Sequence, residues 1–216
     1  MELIKYLNDN FFTKKELLDV SKVTELELLS YQNDRLMPKC SYKLTLNVKS
    51  DSFFGVHNDE QEIEYYAKGY ASWLAIVQSL KSPESIYAIF YNRYKIAIEN
   101  LKEQGHYSIS YKLKSGLDEH IKEEWNNFLN GIYGLCTQTG LPEDIAAKEF
   151  SILEINEISE FNELTSQQMN KLTLAVNLLD SVSSLFAPHE RLKSSRHRLV
   201  NEIRRKYKLP NNQITK

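Results

Sequence analysis

Five histidines, two cysteines and an arginine-rich C-terminal stretch are the residues of this chain with chemistry to offer. The densest set is "PHERLKSSRHR", which places His189 and His197 beside Arg191, Arg196 and Arg198. An imidazole titrates near neutral pH and can give or take a proton. A guanidinium presents a planar fork that grips a carboxylate or phosphate. The combination suits an anionic substrate clamped by Arg191, Arg196 or Arg198, with His189 or His197 as acid or base. The charge pattern also has a structural reading. Residues 188–216 hold nine Lys or Arg against two acids, a local net of +7, while residues 1–187 carry −9. A basic helix can dock on the acidic body of its own chain, or of a partner copy in a homodimer.

The other histidines invite a metal reading. His57 precedes Glu60 by three residues, and His120 precedes Glu123 and Glu124 by three and four, a spacing that shares one helix face. Helical bundles can bind metals with Glu and His from several helices, and Glu64 could join such a set. Neither His57 nor His120 follows a Glu in the Glu-x-x-His order of those sites, so no metal is assigned and the sequence names no cofactor. Cys136 would be a nucleophile only with a base beside it and a lowered pKa. No base adjoins it in sequence, and the commoner role of a free Cys is a small buried hydrophobe.

Cys136 does sit in an unusual place. Three of the seven glycines, Gly131, Gly134 and Gly140, fall within "GIYGLCTQTG". Gly131 or Gly134 can end one helix in a left-handed conformation, and Gly140-Leu141-Pro142 can launch the next. Between them "IYGLCTQT" is too apolar for an ordinary surface loop. The expectation is a segment that crosses between helices and lines a pocket. "GVHNDEQEIEYY" and "PHERLKSSRHR" would complete its frame. Tyr133 and Tyr65 or Tyr66 would form aromatic walls. Cys136, His57, His189, Arg191, Arg196 and His197 would be its polar groups. The ligand would be a small anionic or aromatic molecule.

These residues need elements to hold them. Thr13 and Glu16 have the spacing of a capping box, so a short helix runs through Leu17 and Leu18. "SKV" turns, and Thr24 caps a second helix that ends near "LMPK". This is a helix-turn-helix pattern. Tyr42 to Ser50 alternates in polarity like a strand or a wing-like extension. From Asp59 onward the chain reads as helices: 59–80, 83–103, 117–130, 142–158, 165–186 and one that Pro188 opens. The predicted architecture is mainly α. Residues 1–50 form a small helix-turn-helix-like unit and 51–216 a helical bundle.

Composition bounds the setting. The 216 residues carry a balanced net charge of −2, which disfavours bulk attraction to nucleic acid or membrane. No apolar run reaches the roughly 18 residues of a membrane span. "MELIKYLNDNFF" lacks the pattern of a signal peptide, and two cysteines make no disulfide framework. A reduced, cytoplasmic protein is expected.

Two resemblances add to this. "FTKKELLDVSKVTELELLSYQNDRLMP" resembles the start of a MerR-type DNA-binding domain. Such readers carry an Arg followed by an aromatic residue on the second helix. Leu29 and Ser30 stand there, behind Glu25 and Glu27, so binding to nucleic acid is disfavoured. "FFGVHNDEQEIEYYAKGYASWL", "WNNFLNGIYGLCTQTGLPEDIAAKE" and "LLDSVSSLFAPHERLKSSRHRLVNEIRRKY" together resemble an uncharacterised bacterial family whose members are often labelled natural-product biosynthesis proteins. That resemblance implies a setting in a small-molecule pathway of a bacterial cytoplasm and no particular reaction. A regulator with a ligand-sensing helical body, or a non-catalytic scaffold, fits the same residues.

Overall fold

The computed structural model describes residues 2–80, 82–161 and 163–210. The chain is mainly helical, with one small antiparallel sheet. It begins with α1 (Glu2–Asn10), which runs into the short strand β1 (Phe11–Thr13). Thr13 then caps α2 (Lys14–Ser21): its hydroxyl accepts from the Glu16 amide, and the Glu16 carboxylate accepts from the Thr13 amide. This is the box that the spacing predicts. Glu27 completes a second box at Thr24, which opens α3 (Glu25–Asn33).

β2 (Tyr42–Ser52) and β3 (Gly55–Ala67) form a hairpin, and β1 pairs with the far side of β3, giving the order β1–β3–β2. The strand predicted over 42–50 is present. The helix predicted from Asp59 is not: residues 59–67 belong to β3. The alternating face of Tyr42, Leu44 and Leu46 demands a partner strand, and Tyr65, Ile63 and Gln61 lie opposite those residues in register. That long-range pairing outweighs local helix preference. Gly55, at φ 108°, closes the two-residue turn at Phe53-Phe54.

The remaining elements are helical. They are α4 (Tyr70–Leu80), α5 (Pro83–Glu103), α6 (Leu117–Leu129), the short α7 (Ile132–Cys136), α8 (Pro142–Ser159) and α9 (Ser166–Val182). Pro83 and Pro142 open their helices as expected. The single helix predicted from Pro188 is instead broken. A 3-10 turn covers Arg191–Lys193, a π-helical turn covers His197–Asn201, and α10 spans Glu202–Tyr207. Ser194 causes the break: its hydroxyl accepts the His197 amide and so starts a new helix.

The core does not respect a boundary at residue 50, which falls inside β2. Leu17, Leu28 and Met37 share one buried cluster with Tyr66, Trp73, Phe90, Trp125 and Phe128. Trp73 ties the two regions further, its Nε1 donating to the Leu36 carbonyl at 2.9 Å. A second cluster joins α9 to Leu199 and Ile203. A third packs Tyr6, Leu7 and Phe11 on Tyr65 and Ala187. Tyrosines supply much of the core: Tyr65, Tyr66, Tyr70 and Tyr94 are almost wholly buried. Among the described residues no helix is long and apolar enough to cross a membrane.

Candidate functional site

The glycines of 131–140 answer a packing demand. Gly131 holds φ 78° at the end of α6, and a Cβ there would stand 2.6 Å from the Cys40 carbonyl. At Gly134 a Cβ would meet Ser41 Oγ at 2.1 Å and the Tyr70 hydroxyl at 2.9 Å. The segment is therefore pressed against the end of β3 and the start of α4. Past it, Gln138 N donates to the Val182 carbonyl and Ser184 Oγ donates to the Leu135 carbonyl, which fastens the segment to the end of α9.

This crossing also lines a cavity. A space of about 520 Å³ is bordered by Tyr6, Lys68, Gly134, Thr137, Gln138, Asp180, Ser184 and Arg196. Arg196 borders two neighbouring spaces as well. One, of about 230 Å³, reaches Leu185, Arg191, His197 and Asn201, and the other, of about 540 Å³, reaches Asn201, Arg204 and Arg205. The three form one crevice with Arg196 at its hub. Its floor is the π-helical turn, a local widening that recurs at functional sites. A larger groove of about 690 Å³ lies between α2 and β3. It is the weaker candidate for an anion, because Asp19, Glu25, Glu62 and Glu64 outnumber Lys14 and Lys15 in its lining and Lys14 is held by both Glu25 and Glu64 at 3.0 Å.

Asp180 organises the crevice. One carboxylate oxygen takes Arg196 and the other takes Arg204 at 2.9 Å. Arg196 also donates to the Asp180 carbonyl at 2.8 Å, and Arg204 to Asn177 Oδ1 at 2.9 Å. Arg204 is 9% exposed, yet its Nε has no acceptor. The buried Tyr6 hydroxyl, on the wall of the first cavity, also lacks a partner in hydrogen-bond geometry, although Ser184 and Tyr42 stand near. Two guanidiniums on one carboxylate leave a positive charge in excess, which suits an anion.

The family of unknown function DUF6058 matches residues 86–208. The chain belongs to that family. The DUF6058 region contains Gly131–Gly140, Asp180, Arg196 and Arg204, and it leaves out α1 and the sheet. No curated protein and no solved structure matches the chain.

The structure brings some of the expected residues together and separates others. Arg196, His197 and Arg191 border the crevice. Tyr133 and Cys136 belong to the crossing segment but face inward. Tyr133 is buried, and its carbonyl accepts from Thr137 N and Oγ1. Burial raises the Cys136 thiol, which lowers its reactivity, and the Cys136 carbonyl takes Lys148 Nζ at 3.2 Å. Tyr65 is core, its hydroxyl donating to Asn8 Oδ1 at 2.9 Å, and Tyr66 donates to Glu64 Oε2. The His189 side chain is exposed, 3.8 Å from Glu190 Oε1. His57 pairs with Ser50 near the hairpin tip. It stands eight residues along β3 from Tyr65, roughly 26 Å away. Asp180, Arg204, Tyr6 and Gln138 were not legible as site residues. "LLDSVSS" offers one acid without a pattern, and Tyr6 reaches the crevice only through tertiary packing.

A second buried polar set lies elsewhere in the DUF6058 region. Tyr94 Oη is 3.2 Å from His120 Nε2, and His120 Nδ1 is 3.6 Å from Glu124 Oε1. None of the three cavities around Arg196 borders it. Among the described residues, no three His, Cys, Asp or Glu side chains gather as a metal-binding group.

Proposed function

We propose that this DUF6058 protein binds a small molecule carrying an anionic group in the crevice around Arg196. The observation that carries this reading is Asp180 shared by two guanidiniums, beside a buried Arg204 Nε with no acceptor. An anion placed there gains charge-assisted hydrogen bonds in surroundings of low dielectric. Gln138 and the Tyr6 hydroxyl line the same space and can meet the rest of the molecule. His197, on the rim, is the side chain best placed for proton transfer. The resemblance to natural-product biosynthesis proteins supports a role in bacterial specialised metabolism in the cytoplasm.

Thermal unfolding with a panel of phosphorylated, sulfonated and carboxylated aromatic and aliphatic metabolites tests this. A ligand at a hundred times its Kd adds about 2.7 kcal/mol to stability. That raises Tm by roughly 5–10 °C for a chain of this size. Gln138→Trp, which fills the first cavity, should remove the shift while leaving the ligand-free Tm and circular dichroism close to wild type. A panel in which no anion shifts the wild type overturns the reading.

The run of α2, turn, α3 and wing-like hairpin favours a second reading, a helix-turn-helix-like regulator. Its charges oppose DNA binding. Glu25 and Glu27 open α3, and Lys14 is tied to Glu25 and Glu64. DNA titration at two salt concentrations separates the readings, because a regulator must bind tightly and lose affinity with salt.

A further inference from the structure

The β2–β3 hairpin outruns the body that it grows from. Tyr42, Leu44, Ile63 and Tyr65 at its base pack with Tyr6 and Phe11. From Asn47 to Glu62 every residue is exposed. The pairing continues unbroken to Ser52 and Gly55. The exposed part is thus a ribbon roughly 20 Å long at about 3.3 Å per residue. At its tip Phe53 and Phe54 are 97% and 96% exposed, packed edge to face with centroids 5.4 Å apart. Two naked aromatics on a ribbon that gains little stability of its own mark an interaction site.

Charge selects the partner. Residues 47–62 hold Lys49 against Asp51, Asp59, Glu60 and Glu62, a net of −3. Nucleic acid phosphates and anionic lipids repel such a surface. The chain's own C-terminal face is its complement. Residues 188–210 carry eight Lys or Arg against two acids, a net of +6. Arg191, Lys193 and Arg198 are exposed there, with Leu192 and Leu185 showing apolar surface beside them. The ribbon cannot reach this face within one molecule. Its base is fixed next to it, Tyr42 donating to Glu190 Oε2 at 2.6 Å. The tip lies ten residues further out, roughly 33 Å away.

We propose that the hairpin is a dimer arm. Phe53 and Phe54 of one copy seat against Leu185 and Leu192 of a second, and Asp51 and Glu60, which share one face of the ribbon, lie against its Arg191, Lys193 and Arg198. Twofold symmetry makes the exchange reciprocal, so two arms close one dimer. The arm shares Leu185 and Arg191 with the border of the crevice, but its test reads oligomeric state whereas the anion reading is tested by a thermal shift, so the two fail separately.

Sedimentation equilibrium of the full chain tests the arm. The wild type should be a dimer that salt weakens. The double substitution Phe53→Ser and Phe54→Ser should give a monomer with unchanged circular dichroism. Reversing charge on that face of the arm, Asp51→Lys with Glu60→Lys, should weaken the dimer by about tenfold or more. Adding Arg191→Glu and Lys193→Glu to that same chain should restore most of the loss. A wild type that stays monomeric at high concentration overturns the proposal. So does a serine variant that still dimerises, or a charge swap that fails to restore. Monomers that co-sediment with phosphatidylcholine vesicles through the Phe pair would assign the tip to a membrane and equally overturn it.

Discussion

His120 and Glu124 stand one turn apart on α6, with His120 Nδ1 3.6 Å from Glu124 Oε1, and at neutral pH the pair is uncharged. The distance is that of an ion pair. Burial decides otherwise. It pushes His120 down to about 4, helped by Lys112, and pushes Glu124 up to about 8, helped by the charge of Glu149. Both groups are over nine-tenths buried, and neither His120 Nδ1 nor Glu124 Oε2 has a hydrogen-bond partner. Ionising either one alone would place a charge in the interior with no ion-paired counterion against it, and burial outweighs the help that Lys112 and Asn127 give to an ionised Glu124.

The signs of the pH dependence follow. Glu124 keeps its proton in the folded state up to about pH 8, while the unfolded chain releases it near 4.5. The folded state then binds more protons through that window, so stability falls as pH rises from 4.5 to 8. His120 acts oppositely: the unfolded chain takes a proton below 6.5 and the folded one only near 4, so stability falls as pH drops through that range. Above 6.5 only Glu124 of this pair still contributes. Urea unfolding between neutral and mildly alkaline pH should show a loss on the order of 1 kcal/mol from it. Glu124→Gln should remove most of it. Equal slopes in the two proteins would assign the loss to other groups.

Trp73 offers a test of how far the chain behaves as one unit. Its Nε1 donates to the Leu36 carbonyl, and its ring packs against Phe90 and Phe128 at centroid distances of 6.4 and 4.9 Å. Trp73→Phe keeps an apolar ring but strands a buried carbonyl, at a cost of about 1–3 kcal/mol. Unfolding followed by far-ultraviolet circular dichroism and by tryptophan fluorescence should stay coincident in the wild type, because one cluster spans the two regions. Two separate transitions would support a division near residue 50.

Gly134→Ala should lower stability by about 1–3 kcal/mol through overpacking. The new methyl meets a hydroxyl at 2.1 Å and a buried ring hydroxyl at 2.9 Å. Ser41→Ala should relieve part of the cost in the double variant, since it deletes the nearer atom. Chemical denaturation of the three proteins checks this, and an additive double variant would mean that the crowding lies elsewhere.

What was legible in the sequence is what local chemistry fixes. The Thr13–Glu16 box, the Pro-opened helices and the left-handed Gly131 depend on near neighbours, and they fall where expected. β3 was read as helix because its partner lies in β2, and no short window contains that pairing. The broken C-terminal helix was missed because Ser194 is an ordinary residue until its hydroxyl caps a helix. The Arg191–His197 cluster was visible as a charge run. Its carboxylate, Asp180, was not, because the two meet only when α9 packs beside the π-helical turn.

Asp180 carries the most direct prediction about the crevice. Its carboxylate pairs with both Arg196 and Arg204, and its side chain is 12% exposed. Asp180→Asn keeps the shape but leaves two guanidiniums in a half-closed space with no counterion. Removing one member of a buried charged set costs about 3–5 kcal/mol, and partial exposure of Arg196 places this one at the lower end. Inorganic phosphate or sulfate should restore part of that loss in the variant, because it supplies charge where the carboxylate was, and should stabilise the wild type less. Arg204→Lys separates the contributions. It keeps one charge but loses the planar fork that bridges Asp180 and Asn177. Urea unfolding with and without sulfate at constant ionic strength reads all three. An Asp180→Asn protein as stable as the wild type would show that the charge is balanced by solvent, and with it the case for an anion in the crevice would fall.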